Sequence, residues 1–227
     1  DIIGAELVRD VEAGEMIVIN NNGIKSYRPF KKSKLRPCLF EYIYFSRPDS
    51  ILEGKNVYEI RKKIGVELAK ESKKDKSLID IVVPIPDSGN AAALGYSKII
   101  KKPFELGIIR NHYTGRTFIE PTNKVRHLGV KLKHNPNPSI LKNKKIALID
   151  DSIVRGTTSI KIVEMLRNIG VREIHMRIAS PPVKYPCFYG IDTPSKKELL
   201  ASKYSVEEIC KYIGVDSLEF ISLDGVY

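Results

Sequence analysis

Apolar positions along this chain fall into two periods, and their order predicts the fold. Met16-Ile17-Val18-Ile19 and Ile24 to Tyr27 flank Asn22-Gly23, a pair that favours a tight primed turn, so residues 12–27 predict a β-hairpin. A hairpin alone is marginal in water and needs a surface to pack on. Residues 28–37, RPFKKSKLRP, are basic and Pro-flanked and predict a linker. The aromatic run Phe40 to Phe45 predicts a strand. Asn56 with Glu59 marks a helix start, and Val57, Ile60, Ile64 and Leu68 form one face of that helix. Residues 79–85, IDIVVPI, predict a buried strand, Pro86 to Asn90 a turn, and 91–101 an Ala-rich helix. Further strands are expected at Leu106 to Ile109 and Lys144 to Ile149. A helix at 157–169, closed by Gly170, leads into a last strand from Ile174 to Ala179. Strands alternating with helices predict an α/β fold, a parallel sheet with helices on both faces.

Two stretches depart from that rhythm. Residues 111–143 carry His112, Gly115, Pro121, Gly129, Pro136 and Pro138 among basic residues, and a connection this long in a compact α/β unit points to function or mobility. After Ser195 a small helical tail follows, in which Ser205 and Glu208 predict a capping box for a helix ending at Gly214. The expected organisation is a hairpin and linker over 1–37, a main domain over 38–194, and a helical extension over 195–227.

Composition changes this picture in three ways. At 227 residues the chain is long enough for one α/β domain with attachments. No run approaches the ~20 apolar residues of a membrane span, and no secretion signal follows Asp1, so no membrane role is expected. A start without Met suggests a processed or partial chain. Three cysteines at unrelated spacings do not form a disulfide framework, so a cytoplasmic, reducing setting is expected. The net charge of +11 admits nucleic acid, anionic membrane or phosphorylated small molecules. Much of the excess lies in solvated Lys runs such as Lys73-Lys74 and Lys101-Lys102. Without a basic amphipathic helix or zinc-finger spacing, a small phosphorylated molecule is favoured and no nucleic-acid partner is expected.

The chemistry concentrates where strands end. IALIDDSIVRGTTS, residues 146–159, runs from a buried strand into Asp150 and Asp151, then into a turn and a helix start. Ligands of open parallel sheets sit beyond the carboxyl ends of the strands. Gly156 lets the backbone approach closely, Thr157, Thr158 and Ser159 add hydroxyls, and a helix N-terminus binds phosphate through its N–H groups. Two carboxylates beside a phosphate cradle repel the ligand unless hydroxyls or a cation meet them, and a phosphorylated sugar with Mg2+ supplies both. A helix start that merely favours acids explains one Asp, but not the pair with the Gly and the hydroxyls. A second loop, Asp87-Ser88-Gly89-Asn90, also follows an apolar strand and opens a helix. It is placed to hold a diphosphate or to bring Ser88 to a metal shell.

IDDSIVRGTTS resembles the phosphoribosyl diphosphate loop of the type I phosphoribosyltransferases. Its Ser152-Ile153-Val154-Arg155-Gly156-Thr157-Thr158 looks like that of the amidophosphoribosyltransferase family. Phe40 to Ser50 (FEYIYFSRPDS), Arg110 to Glu120 (RNHYTGRTFIE) and Pro186 to Thr193 (PCFYGIDT) agree with it. The resemblance implies attack by ammonia on C1 of phosphoribosyl diphosphate, with release of diphosphate, as the first step of purine biosynthesis. It implies that Asp150 and Asp151 hold the ribose hydroxyls and the Mg2+ shell, and that residues 152–159, Arg155 included, hold the 5′-phosphate. Asp87 and Ser88 then lie by the diphosphate, with Ser88 also near the metal. Arg110, Tyr113, Arg116 and Thr117 belong to a flap that closes over the substrate, with Lys124, Arg126, Lys131 and Lys133 extending its charge. His112 and His127 are expected to be surface residues.

The resemblance further implies a homo-oligomer and purine nucleotides as inhibitors. One branch of the family carries a 4Fe–4S cluster. Cys38 and Cys187 fit two of its ligand positions, but no Cys-x-x-Cys completes the set, and Cys210 is expected to be a small buried hydrophobe. The family's glutaminase domain, with its nucleophilic Cys, has no counterpart here beyond the hairpin, so use of free ammonia rather than glutamine is expected. Two alternatives stay open: a salvage phosphoribosyltransferase acting on a nucleobase, and a non-catalytic sensor of phosphoribosyl diphosphate or nucleotides.

Overall fold

The structure, a computed structural model, describes residues 4–31, 36–73, 76–111, 134–189 and 195–227. The chain forms two compact units, Asp1–Leu39 and Phe40–Tyr227.

In the first unit β1 (Met16–Asn20) pairs antiparallel with β2 (Gly23–Tyr27). The turn lies one residue earlier than the sequence suggests. Asn20 pairs with Gly23, Asn20 Oδ1 accepts from the Asn22 N–H at 2.9 Å, and the positive φ of 102° falls on Gly23. Ile19 and Ile24 stay exposed, so little apolar burial holds this hairpin. Polar bonds converge on Glu15 instead. Its carboxylate accepts from both terminal nitrogens of Arg9 (2.9 and 2.7 Å), from the Glu12 N–H at 2.8 Å and from the Ser26 hydroxyl. These donors hold its pKa well below the usual carboxylate range.

The second unit is built on a four-stranded parallel sheet in the order β10-β9-β8-β5. Its strands are β5 (Ile81–Pro84), β8 (Lys145–Asp150), β9 (Glu173–Ile178) and β10 (Ser217–Phe220). The helices are α1 (Val57–Glu71), α2 (Asn90–Ile100), the short α3 (Pro138–Leu141), α4 (Thr157–Asn168), α5 (Val206–Ile213) and the short α6 (Leu223–Val226). Side chains alternate across each strand. Ile146, Leu148, Ile174, Met176 and Ile178 join Ile162, Val163 and Leu166 of α4 and Ile209 and Ile213 of α5 in one apolar core. On α1 and α2 the backbones approach so closely that a Cβ on Gly65 would lie 1.9 Å from the Ala92 carbonyl oxygen, and one on Gly95 2.0 Å from that of Lys62. Side chains larger than hydrogen are excluded there.

Three further expectations need correction. Phe40 to Phe45 is a helical turn over Glu41–Phe45, not a strand, with Tyr42 and Ile43 buried. Its carbonyls are claimed by a side chain from elsewhere: Arg61 donates from Nε to the Tyr42 carbonyl (2.6 Å) and from Nη2 to that of Ser46 (2.8 Å). The segment at Leu106 to Ile109 does not extend the main sheet. Phe104 makes an isolated parallel bridge to Val82, after which β6 (Ile108–Arg110) turns to pair antiparallel with β7 (His134–Pro136). A further small pair, β3 (Ile51–Leu52) with β4 (Lys55–Asn56), precedes α1. Finally, the tail is not helical throughout. The capping box at Ser205 and Glu208 is present and α5 ends at Gly214, but β10 then joins the sheet. A partly buried polar row secures it: Arg177 Nη1 donates to Ser217 Oγ (3.0 Å), Arg177 Nε lies 3.0 Å from Glu219 Oε2, and His175 Nδ1 lies 3.0 Å from Ser217 Oγ.

Candidate active site

Two loops leave the carboxyl ends of the adjacent strands β8 and β5, each opening a helix. β8 carries five consecutive buried residues, ending at Asp150. Asp150 and Asp151 are each 7 % exposed, so neither carboxylate has much access to water. Burial raises the pKa of Asp150 well above the ordinary aspartate value, and the neighbouring charge of Asp151 adds to it. The Asp151 N–H donating to Asp150 Oδ1 (2.9 Å) opposes the rise. Asp151 is raised by burial as well, against hydroxyls donated by Ser152 and Ser88 and the positive charge of Arg61. Such a pair resists double ionisation until hydroxyl donors or a cation arrive.

The turn that follows opens α4. Gly156 adopts φ 76°, the left-handed region that suits glycine, and caps α4 without any side-chain hydrogen bond to the helix N-terminus. The first N–H groups of a helix have no partner within it, so Thr157 and Thr158 stand at an uncapped positive helix end. Thr157 is exposed, Thr158 half-buried, and Ser159 faces inward with Ile162, Val163 and Leu166. Ser152 is half-buried beside Asp151. Arg155 is half-exposed and turned toward the tail, where Nε donates to Glu198 Oε2 at 2.9 Å.

The second loop is pinned by backbone. The Ile85 N–H donates to the Ile149 carbonyl at 2.8 Å and the Gly89 N–H to that of Ile85 at 3.0 Å; the Pro86–Asp87 peptide is cis. A Cβ on Gly89 would lie 2.5 Å from the Ile149 oxygen, so glycine is what lets this loop sit against β8. Asp87 forms an ion pair with Arg110, bringing two residues expected at the site together. His134 is buried, with Nε2 3.4 Å from the Pro86 carbonyl. Tyr113, Arg116 and Thr117, with His112, Lys124, Arg126, His127, Lys131 and Lys133, lie outside the described residues.

Sequence reasoning missed Arg61. It stands four residues from both Val57 and Gly65 on the buried side of α1, a cation inside an apolar stripe, and that was the available signal. It lines a cavity of ≈ 10 Å3 together with Ile43, Ile64, Ser88, Ala92, Asp151 and Ala179, so one side chain links the Tyr42–Ser46 turn to both loops.

The sequence model of the phosphoribosyl transferase domain matches residues 49–180, more than half of the chain. The chain belongs to the phosphoribosyl transferase domain family. It is 56% identical over 233 residues to an amidophosphoribosyltransferase of Rhizobium etli, an alignment covering 100% of this chain and 46% of that protein. The Bacillus subtilis amidophosphoribosyltransferase is 48% identical, with 100% of this chain and 47% of that protein covered. A solved structure of the B. subtilis glutamine phosphoribosylpyrophosphate amidotransferase, complexed with ADP and GMP, superposes with a TM-score of 0.84 at 48% identity. It covers 99% of this chain and 49% of that one. The chain therefore spans about half the length of these relatives.

Both strand-end loops of the phosphoribosyl transferase domain fall inside the matched span, whereas the tail from Ser195 lies beyond it. Among the described residues no group of three or more His, Cys, Asp or Glu gathers in a metal-binding cluster, and no helix is long and apolar enough to cross a membrane. Cys38 is exposed, Cys187 is half-buried and accepts the Tyr189 N–H at 3.3 Å, and Cys210 packs against the core.

Proposed function

We propose that this chain is the phosphoribosyl-transfer part of an amidophosphoribosyltransferase: ammonia attacks C1 of phosphoribosyl diphosphate, diphosphate departs, and 5-phosphoribosylamine forms. The observation that carries this is the buried Asp150–Asp151 pair set directly before the uncapped helix end at Gly156. A phosphorylated sugar meets both halves at once, its hydroxyls at the acids and its phosphate at the helix.

The 5′-phosphate rests on the N–H groups and hydroxyls of the 152–159 turn. The ribose hydroxyls donate to Asp150 and Asp151, which offsets the burial cost those carboxylates carry. The diphosphate lies toward Asp87 and Ser88, at the start of α2. Arg110 pairs with Asp87 in the described structure and stands beside that position to meet the departing negative charge. Arg110 begins the segment assigned as the closing flap, with Tyr113, Arg116 and Thr117 farther along it, and closure there keeps water from C1. The residues present fit Mg2+: two buried acids with raised pKa, and the Ser88 hydroxyl bonded to one of them. Bound there, Mg2+ supplies positive charge to the leaving diphosphate.

Cytoplasmic purine biosynthesis, assembly into a homo-oligomer and inhibition by purine nucleotides complete the proposal, the last supported by similarity to an enzyme solved with ADP and GMP. Glutamine use is assigned to the part of the relatives that this chain does not span.

The test is diphosphate release from phosphoribosyl diphosphate with Mg2+, comparing ammonium, glutamine, adenine with guanine, and no acceptor. Release with ammonium alone is expected, and its loss in the double variant Asp150→Asn, Asp151→Asn. Release that needs a nucleobase indicates a salvage enzyme instead. Binding without release under any condition indicates a sensor.

A further inference from the structure

The tail beyond the family match reaches back to the phosphate turn at three points. The Leu200 N–H donates to the Val154 carbonyl at 2.9 Å. The Leu200 side chain, 6% exposed, lies under Gly156, where a Cβ would come within 2.8 Å of its Cδ2. Glu198 accepts from Arg155 Nε at 2.9 Å through one oxygen and from the Ser195 hydroxyl at 3.4 Å through the other. The segment that makes these contacts is itself tied down, since the Ser202 hydroxyl donates to the Lys196 carbonyl at 2.6 Å and the Tyr204 N–H to that of Leu200 at 3.1 Å.

The turn from Ser152 to Gly156 is irregular backbone between a strand and a helix. Nothing in that stretch forms regular secondary structure, so its shape depends on what holds it from outside. A phosphate cradle made of backbone N–H groups works only if those groups point to one spot before the ligand comes. Val154 is held by Leu200, and Arg155 by Glu198, on consecutive residues.

We infer that Glu198 is a positioning residue for the phosphate turn. It draws the Arg155 side chain to the tail and, with the Leu200–Val154 bond, sets the backbone that receives the 5′-phosphate. Arg155 then serves as the handle by which the tail grips the turn and not as a direct ligand of the phosphate. The inference deepens the proposed function and rests on its assignment of residues 152–159 to the 5′-phosphate. It gives the tail a role in substrate affinity.

The experiment uses the full chain and isothermal titration with ribose 5-phosphate as the first probe and inorganic diphosphate with Mg2+ as the second. E198Q keeps the side chain's size and removes its charge. It is expected to weaken ribose 5-phosphate about fivefold, with the melting temperature and diphosphate binding at the other loop unchanged. R155Q should weaken it to a similar degree, and R155Q with E198Q no further, because the two act as one unit. In steady state, E198Q should raise KM for phosphoribosyl diphosphate and leave kcat in place. Unchanged affinity in E198Q overturns the inference. So does tighter binding, which would mean that Glu198 competes with phosphate for Arg155. Wild-type chain that binds no ribose 5-phosphate overturns the functional proposal and this inference with it, whereas wild-type binding that E198Q leaves intact overturns the inference alone.

Discussion

The loop after β8 and the loop after β5 lie side by side, joined by the bond from the Ile85 N–H to the Ile149 carbonyl, and each opens a helix. They differ in where they keep charge. The first places two carboxylates at 7 % exposure, with Arg61 as the neighbouring cation of Asp151 alone, a state that burial disfavours. The second keeps its carboxylate, Asp87, half exposed and already paired with Arg110. Its shape comes from close backbone contact at Gly89. One loop therefore stores an unmet electrostatic demand that a ribose or a metal can satisfy, and the other is a preformed backbone surface with little charge of its own. Under the proposed function, a site that holds a sugar hydroxyl on one side and releases a diphosphate on the other benefits from that asymmetry.

The sharpest way to break the comparison is to remove the stored demand. Asp150→Asn with Asp151→Asn should lower ammonia-dependent diphosphate release by about two orders of magnitude or more. A loss below tenfold in that assay would show that the carboxylates are not what the ribose and metal meet. The second loop should fail through shape instead. Gly89→Ala puts a methyl 2.5 Å from one carbonyl oxygen and 2.9 Å from another, neither of which can rotate away. A destabilisation of about 2–3 kcal/mol, or roughly 5–10 °C in Tm, is expected by calorimetry. Gly156→Ala should cost less, about 1–2 kcal/mol. It carries the left-handed φ, but its near contact, Leu200 Cδ2 at 2.8 Å, is the end of a flexible side chain.

A smaller effect has the opposite sign. Asp150 titrates above its unfolded value, so its ionised form costs stability at pH above the folded pKa. The cost fades as pH falls toward the ordinary aspartate range. Asp150→Asn should therefore raise Tm at pH 8 by roughly 2–4 °C, a gain that disappears near pH ~4, where the carboxyl is protonated folded or unfolded. A Tm at pH 8 equal to or below wild type would show that the pair is already compensated. The smallest effect belongs to the exposed pair: Asp87→Asn should move Tm by less than about 1 °C, since half-exposed ion pairs contribute little.

Much of this arrangement is legible in the order of residues because it depends on neighbours in the chain. The buried runs at 81–84 and 145–150, the inward stripe Ile162, Val163 and Leu166, and the Ser205–Glu208 capping box are local patterns, and each forms where it is expected. The acid pair, the glycine and the helix start are likewise contiguous and follow one another at the end of β8. The aromatic run at Phe40 to Phe45 shows where local pattern loses. Its β-prone residues form a helical turn because Arg61, fifteen residues past Ser46, takes two of its carbonyls. β10 was equally hidden: four residues with modest apolar content become a sheet edge because Arg177 and His175 wait for Ser217 and Glu219.

What the sequence determined by itself, then, is the alternation of strand and helix and the chemistry stored at two strand ends, because period, capping and turn residues act over a few positions. Only the tertiary structure decided which distant groups complete them. Arg61 near Asp151, Arg110 on Asp87 and Glu198 on Arg155 join residues 23 to 90 positions apart. Electrostatic pairing depends on distance in space, and no periodicity along the chain records it.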